Sequence, residues 1–439
     1  MGSSASSWTV CPARRLAGTV HLPGDKSISH RALMLSALSP GEQVFDGLSG
    51  GADVASTATA LRAMGAPIDA LADGGVRVGA LPAGGLREPG QVVDCGNSGT
   101  TMRLLAGLAA GQSFETVLTG DASLLRRPMA RILEPLRGMG ARATGHEGGA
   151  LAPLTIRGGG LRGIVHRSAV ASAQVKSCLL LAGLFAQGRM EVHEPALSRD
   201  HSERMLRAAG VLLQELEDGV AMDCGQVVRL PEGRFRVPCD LSASAFFVVA
   251  AAILDGAEVV LPELGTNPTR LGYLDLLGGY RFCDLTEELG EERGTLVLGP
   301  EVAENRQQPL SIGGATIPRL IDEIPVLAIL AARSAGVTRI TDAGELRAKE
   351  SDRIETTAEM IRNFGVEVEV LDDGLVIEGR PNRPLRGGCT IDSHGDHRIA
   401  MAAAVGALAA DAPVQVTGVE AVETSFPGFL ETLESCVER

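Results

Sequence analysis

The chain has 439 residues, 45% of them hydrophobic, a formal net charge of −14 and eight cysteines. This length allows two or three domains with sizeable cores, and the acidic balance, with one Trp and two Tyr, argues against broad attraction to nucleic acid or anionic lipid. No C-x-x-C pair occurs, which disfavours structural zinc and a disulfide framework, and no charge-free apolar run is long enough to span a membrane.

Met1 to Ser7 lacks the basic region and apolar core of a secretory signal, so a cytoplasmic protein is expected. Ser7 to Leu22 is strand-like and could pair with the second half of the chain. Next comes the first of six short polar starts, each running into an Ala/Leu/Val helix: Asp25-Lys26-Ser27, Asn97-Ser98-Gly99-Thr100-Thr101, Ser172-Ala173-Gln174, Asp240-Leu241-Ser242-Ala243-Ser244, Asp322-Glu323 and Asp396-His397-Arg398. They recur about every 70 to 80 residues, a long period for an internal repeat. Such starts satisfy free N–H groups and sit at the positive end of the helix dipole, where anions bind.

A second series interleaves with the first. Leu61 to Gly65, Leu136 to Gly140, Leu206 to Gly210, Leu276 to Gly279 and Ile361 to Gly365 each close an amphipathic helical pattern on glycine, with strand-like residues following. A sixth copy, Phe429 to Cys436, is cut short. Each repeat therefore reads as strand, buried helix, strand, surface helix and two strands, with turns such as Asp372-Asp373-Gly374 joining the last pair. Six such repeats predict two domains of three, 23–238 and 1–22 plus 239–439. A double crossing between them would act as a hinge, with the active site in the interdomain cleft.

Several motifs have a plain reading beside a functional one. Pro23 to Arg31 looks like a phosphate loop but fails the Walker spacing; a glycine turn presenting Lys26, Ser27 and Arg31 to an anion fits better. Gly158-Gly159-Gly160-Leu161-Arg162-Gly163 matches G-x-G-x-x-G, yet strand-like residues follow, so a hairpin turn is expected and no dinucleotide site. His394-Gly395-Asp396-His397 has neither the spacing nor the extra ligands for a metal. Asp322-Glu323 and the segment Glu345 to Arg353 could be solvated helix charges; their place in the repeat sets carboxylates suited to proton transfer beside cations. Lys26, Arg31, Arg103, Arg126, Arg127, Arg199, Lys349, Arg353 and Arg398 recur near the polar starts, and such a basic cluster on an acidic protein suggests a small anionic ligand.

Taken together, PGDKSISHRAL, GNSGTTMRLLAG, DASLLRRPM, SAQVKSCLLLAG, RAKESDRI and GDHRIAMA, in this order, resemble the 5-enolpyruvylshikimate-3-phosphate synthase family over nearly the whole chain. The resemblance implies an α/β fold, a two-domain inside-out α/β barrel with three βαβαββ units per domain. It implies transfer of the enolpyruvyl group of phosphoenolpyruvate to the 5-hydroxyl of shikimate 3-phosphate, with release of phosphate, in aromatic amino acid biosynthesis. Lys26, Asp322 and Glu350 would be catalytic: Asp322 the base for the hydroxyl, Glu350 with Lys26 the proton shuttle to C3. Phosphoenolpyruvate would be held by Lys26, Gly99, Thr100, Arg127, Gln174, Arg353 and Arg398. Shikimate 3-phosphate would meet Ser27, Arg31, Ser172, Ala173, Gln174, Arg199, Asp322 and Lys349. No cofactor or metal is implied, and a monomer with no nucleic-acid or membrane partner is expected.

Two positions depart from the family pattern. Thr424 precedes Ser425-Phe426-Pro427 where some members carry Lys, so one cation is absent or supplied elsewhere. Ala173 replaces a second Ser. The S-A-Q and T-S-F patterns look like a bacterial subgroup tolerant of glyphosate, whereas Gly99 stands where Ala accompanies tolerance, which leaves the response to this inhibitor open. The alternatives are the sister enolpyruvyl transferase acting on UDP-N-acetylglucosamine, whose loop Cys has no counterpart in Gly111 to Arg127, and a non-catalytic anion-binding protein, which would gain nothing from Asp322 and Glu350 beside its ligand.

Overall fold

In the computed structural model, which describes residues 6–82 and 85–439, five of the six polar starts cap a helix with a side-chain oxygen. The chain folds as two units. One comprises Gly24–Pro238 with the short segment Glu287–Glu291; the other comprises the residues up to Pro23, Cys239–Thr286 and Glu292–Arg439. Each has its own hydrophobic core.

In the unit of Gly24–Pro238 the helices are α1 (Lys26–Leu38), α2 (Ala52–Ala63), α3 (Gly99–Ala110), α4 (Ala130–Gly138), α5 (Ala173–Gly183) and α6 (His201–Ala208). The second repeat shows the plan. Strand Val93–Asp94 leads through α3 to strand Thr116–Thr119 in parallel, the pairing that a crossover helix requires. After α4, the hairpin Arg142–His146 and Leu151–Arg157 completes an open four-stranded sheet, with Leu151–Arg157 against Thr116–Thr119. The third repeat copies this around α5 and α6. The first takes its opening strand, Gly233–Arg236, from the far end of the segment, where it pairs parallel with Gln43–Asp46.

The other unit holds α7 (Leu241–Ile253), α8 (Ile317–Leu320), α9 (Ile324–Ala332), α10 (Arg353–Asn363), α11 (His397–Leu408) and α12 (Phe429–Ser435). Here the N-terminal stretch supplies the borrowed strands. Arg15–Thr19 runs parallel to Glu258–Gly265 across α7, and Ser7–Val10 lies antiparallel to Val414–Thr417. All thirteen residues of α7 are buried, and α7, α9 and α11 pack on one another with the sheets outside them. The inside-out α/β arrangement thus puts the apolar helices at the centre of each unit; none of the six sheets of described strands closes into a barrel. Among the described residues no helix is long and apolar enough to cross a membrane.

Three local expectations change. Asp322 and Glu323 do not cap α9: they form a 3-10 turn, Ile321–Glu323, with no side-chain cap bond. Cations and a hydroxyl recruit both carboxylates, and Pro325 near the start of α9 leaves one fewer free N–H to satisfy. In the fourth repeat the second helix is only a 3-10 run, Pro268–Tyr273. Gly272, Gly278 and Gly279 oppose a regular helix there, and the hydroxyl of buried Tyr273 is held 2.6 Å from Ser244 Oγ. Gly158-Gly159-Gly160 is no hairpin turn: it links Leu151–Arg157 of one sheet to Val165–Arg167 of the next.

Helix α3 packs tightly on α5 at Gly107, where an added Cβ would lie 2.2 Å from Cys178 O. Because backbone blocks that space, Gly107→Ala should destabilise this unit by about 1–3 kcal/mol, read as a lower urea midpoint at unchanged slope. An unchanged midpoint would show that the helices can separate at no cost.

Candidate active site

Within the unit of Gly24–Pro238 the starts of α1, α3 and α5 gather polar side chains. Asp25 caps α1 through the N–H of Ile28 at 2.9 Å, leaving Lys26 at the first helical position, where its Nζ meets Asp53 Oδ2 at 3.0 Å. Arg31 lies one turn on and is buried, donating to Ser27 O (2.8 Å), Ser177 Oγ (2.7 Å) and Ser202 Oγ (2.7 Å). Burial draws its pKa down to about 10, the strain of a cation held mainly by neutral oxygens. His30 beside it is fully buried, and desolvation with the charges of Lys26 and Arg31 pushes its pKa well below the ordinary value, so it stays neutral. Its Nδ1 begins a hydrogen-bonded chain to Thr57, Thr101 and Ser98, each step 2.7 Å, which fixes the start of α3.

Ser98 caps α3 through the N–H of Thr101 at 3.1 Å, so Gly99 and Thr100 form its first turn. An added Cβ on Gly99 would lie 2.8 Å from Arg103 Nη1 and 3.3 Å from Arg127 Nη1, so two guanidinium groups flank this glycine. Gln174, from the first turn of α5, accepts from Arg103 Nη1 at 2.5 Å and donates to Thr100 Oγ1 at 3.0 Å. Arg127 donates to Asn97 Oδ1 at 2.7 Å. The fold therefore brings Gly99, Thr100, Gln174 and Arg127 together, with Arg103, noted in sequence only as a basic residue, as the hub.

Ser172 caps α5 through the N–H of Val175 at 3.4 Å, and Ala173 follows it as the first helical residue. Beneath them lies a group that sequence reasoning missed. Lys176, 2% exposed, places Nζ 2.7 Å from both Glu194 and Glu203. These carboxylates outweigh burial and keep its ammonium charged. Glu194 also accepts from the N–H of Ser172 (3.1 Å) and of Ser198 (3.4 Å), so the buried triad fixes both ends of the path from the α5 cap to half-buried Arg199. No pattern of spacing marks Lys176, which falls within an apolar helix.

In the other unit the central group is Arg353, the first residue of α10 and 2% exposed. Its Nε lies 2.8 Å from Asp396, Nη1 3.2 Å from Asp322, and Nη2 2.6 Å from Glu350. Asp322 also receives Lys349 Nζ at 3.0 Å. Three carboxylates hold the guanidinium firmly protonated, and its charge outweighs burial to keep Asp396 below the ordinary carboxylate range. Asp396 further accepts from Ser351 Oγ (3.0 Å) and caps α11 through the N–H of Arg398 (2.9 Å). Asp322, Lys349, Glu350 and Arg353 thus form one cluster, with Asp396 more than the simple cap it resembled in sequence.

Arg398 is held differently. It is 7% exposed, its Nε and Nη1 make no hydrogen bond among the described residues, and its ion pair with Glu323 is long, at 3.6 Å. Glu323 accepts from Ser242 Oγ, which in turn accepts from Arg270 Nη2 at 2.7 Å. An underused, buried guanidinium of this kind is prepared for an external anion. Thr424 supplies no cation and donates to Ala421 O at 2.7 Å, while Ser425 Oγ is buried without a hydrogen-bond partner among the described residues.

The chain is similar to known proteins over nearly its whole length. A family model described as EPSP synthase (3-phosphoshikimate 1-carboxyvinyltransferase) matches residues 10–433. A 3-phosphoshikimate 1-carboxyvinyltransferase of Syntrophotalea carbinolica is 49% identical over 97% of this chain and 98% of its own, and one from Synechococcus is 49% identical over 99% and 98%. The solved EPSP synthase from Acinetobacter baumannii aligns with a TM-score of 0.85 at 38% identity, over 98% of both chains. The enolpyruvyl transferase NikO from Streptomyces tendae shares the fold at 15% identity, with a TM-score of 0.75 over 98% of both chains.

Asp396 gives a pH test. Its folded pKa lies below the ordinary 3.8, so its stabilisation is complete above about pH 5 and lost as pH falls through 3.8 toward the folded value. Asp396→Asn should lower stability at neutral pH by about 3–5 kcal/mol and flatten the acid limb in denaturant titrations from pH 6 to 3. An identical acid limb in variant and wild type would remove Asp396 from that dependence.

Proposed function

The chain belongs to the EPSP synthase family, and from that premise we propose how its residues divide the work of a 3-phosphoshikimate 1-carboxyvinyltransferase in the cytoplasm. The 5-hydroxyl oxygen of shikimate 3-phosphate adds to C2 of phosphoenolpyruvate while C3 gains a proton, giving a tetrahedral ketal phosphate. Loss of a proton from C3 then breaks the C2–O bond to phosphate and leaves the enol ether. One group must deprotonate the hydroxyl, and another must give a proton to C3 and take one back.

The observation that carries the reading is the pair of carboxylates on one buried arginine: Asp322 and Glu350 lie 3.2 Å and 2.6 Å from separate nitrogens of Arg353. Two acids fixed by one cation suit two separate proton transfers. Asp322, also paired with Lys349 at 3.0 Å, is the base for the 5-hydroxyl, and Glu350 with Lys26 serves C3. Lys26, Arg127, Arg353 and Arg398 hold phosphoenolpyruvate, Gly99 and Thr100 offer the start of α3, and Gln174 orients both substrates. Ser27 and Arg31 take the shikimate carboxylate, and Ser172, Ala173, Arg199 and Lys349 surround its phosphate and ring.

Release of phosphate from phosphoenolpyruvate plus shikimate 3-phosphate tests the reading, with UDP-N-acetylglucosamine as the competing acceptor. Glu350→Gln should lower kcat about a hundred- to ten-thousand-fold while KM for both substrates moves little. Unchanged turnover would take Glu350 out of the proton path; phosphate release with the UDP-sugar alone would overturn the acceptor, and release with neither would leave an anion-binding protein.

A further inference from the structure

We propose that the unit containing α7, α9 and α11 binds a small organic anion with an apolar body in a second cleft, at the C-terminal ends of these helices. The cleft has a volume of about 800 Å³, within the range of small-molecule sites. It takes in residues just beyond α7 and α9 and the end of α11. Asp322, before α9, and Arg398, in the first turn of α11, lie at the opposite, N-terminal ends of these helices, which at 1.5 Å per residue is about 13–18 Å away. No residue is common to the two places.

Charge is the first argument. Arg14, Arg306, Arg333 and Arg383 line the cleft against a single carboxylate, Asp255. Each helix end adds roughly half a negative charge, so the three together do not neutralise four guanidinium groups. Arg306 is already committed: its Nη1 donates to Ile253 O at 3.3 Å, at the end of α7, and its Nη2 pairs with Asp255. Arg333 is not. Its Nη1 donates to Arg383 O, but its Nε is cut off from solvent and has no hydrogen-bond partner among the described residues. Burial and the neighbouring charge of Arg306 both disfavour its protonated form, which only Asp255 opposes. A bound anion would offset the excess positive charge lining the cleft and relieve the like-charge contact between Arg306 and Arg333.

The walls decide the kind of anion. Leu254, Pro381 and Pro384 face the same space, so a bare phosphate would leave apolar surface wet, whereas a carboxylate or phosphate on a ring or short alkyl body would cover it. Arg14 and Arg383 are exposed at the rim and can close on the charged end.

The test is calorimetric titration of the full chain carrying Lys26→Ala and Arg398→Ala, which weakens the candidate substrate site. Phenyl phosphate, benzoate and inorganic phosphate are the probes. At least one aromatic anion should bind tenfold or more tightly than inorganic phosphate, and which one does so identifies the headgroup. Arg333→Gln should weaken that binding at least tenfold, as should the surface pair Arg14→Ala/Arg383→Ala, which leaves the buried wall intact should Arg333→Gln fail to fold. No binding of either aromatic anion, no preference over inorganic phosphate, or affinity unmoved by the surface pair would overturn the proposal.

Discussion

Each repeat contains a helix that is apolar all round and must be enclosed, and this constraint orders everything else. A helix such as α7, with all thirteen residues buried, can expose nothing but its ends, so its free N–H groups must be met by a side chain at the start. Packing three such helices side by side brings their starts together. In one unit the contact is direct: Ser242 at the start of α7, Glu323 before α9 and Arg398 on α11 form one network. In the other, Arg31 on α1 reaches Ser177 on α5, and Thr100 on α3 reaches Gln174 on α5. The polar groups gather because the apolar ones must.

The two units use that gathering unequally. Arg31 donates to two serine hydroxyls and a backbone oxygen. Neutral acceptors satisfy donors without cancelling charge, so this guanidinium keeps its attraction for an anion. Full neutralisation occurs deeper, at Lys176 between two glutamates, where the pair supports the loop instead of meeting a ligand. Around Arg353 the balance is reversed, with carboxylates in excess on one guanidinium. One set is suited to holding negative charge and the other to moving protons.

How much of this the sequence carried depends on the range of the signal. Caps are local, and five of the six starts formed as their Asp or Ser residues foretold. The closing glycines were equally local: Gly65, Gly140, Gly210 and Gly365 adopt positive φ, as helix ends of this kind require. Long-range pairings were hidden. Glu194 and Glu203 meet Lys176 from a loop and a separate helix, and Asp396 meets Arg353 across 43 residues. Asp322 failed as a cap for the same reason, because distant Lys349 and Arg353 outcompete nearby N–H groups for its oxygens. The fourth repeat lost its second helix to Tyr273, whose hydroxyl required a buried partner.

The position of Arg353 makes these pairings consequential. A cation at the first residue of a helix lies at the positive end of the dipole, which costs stability unless acids surround it. Asp322, Glu350 and Asp396 supply that surrounding, but they are not equivalent. Asp396 is fully buried and also bound to Ser351 and the N–H of Arg398, so it is fixed. Asp322 and Glu350 are less enclosed, at 15% and 18% side-chain exposure, and can yield. An anion drawing on Arg353 would compete with these two and not with Asp396, and a carboxylate freed from a guanidinium takes up a proton more readily. Binding of the anion would therefore itself prepare the acids for proton transfer, while Asp396 keeps the arginine in place.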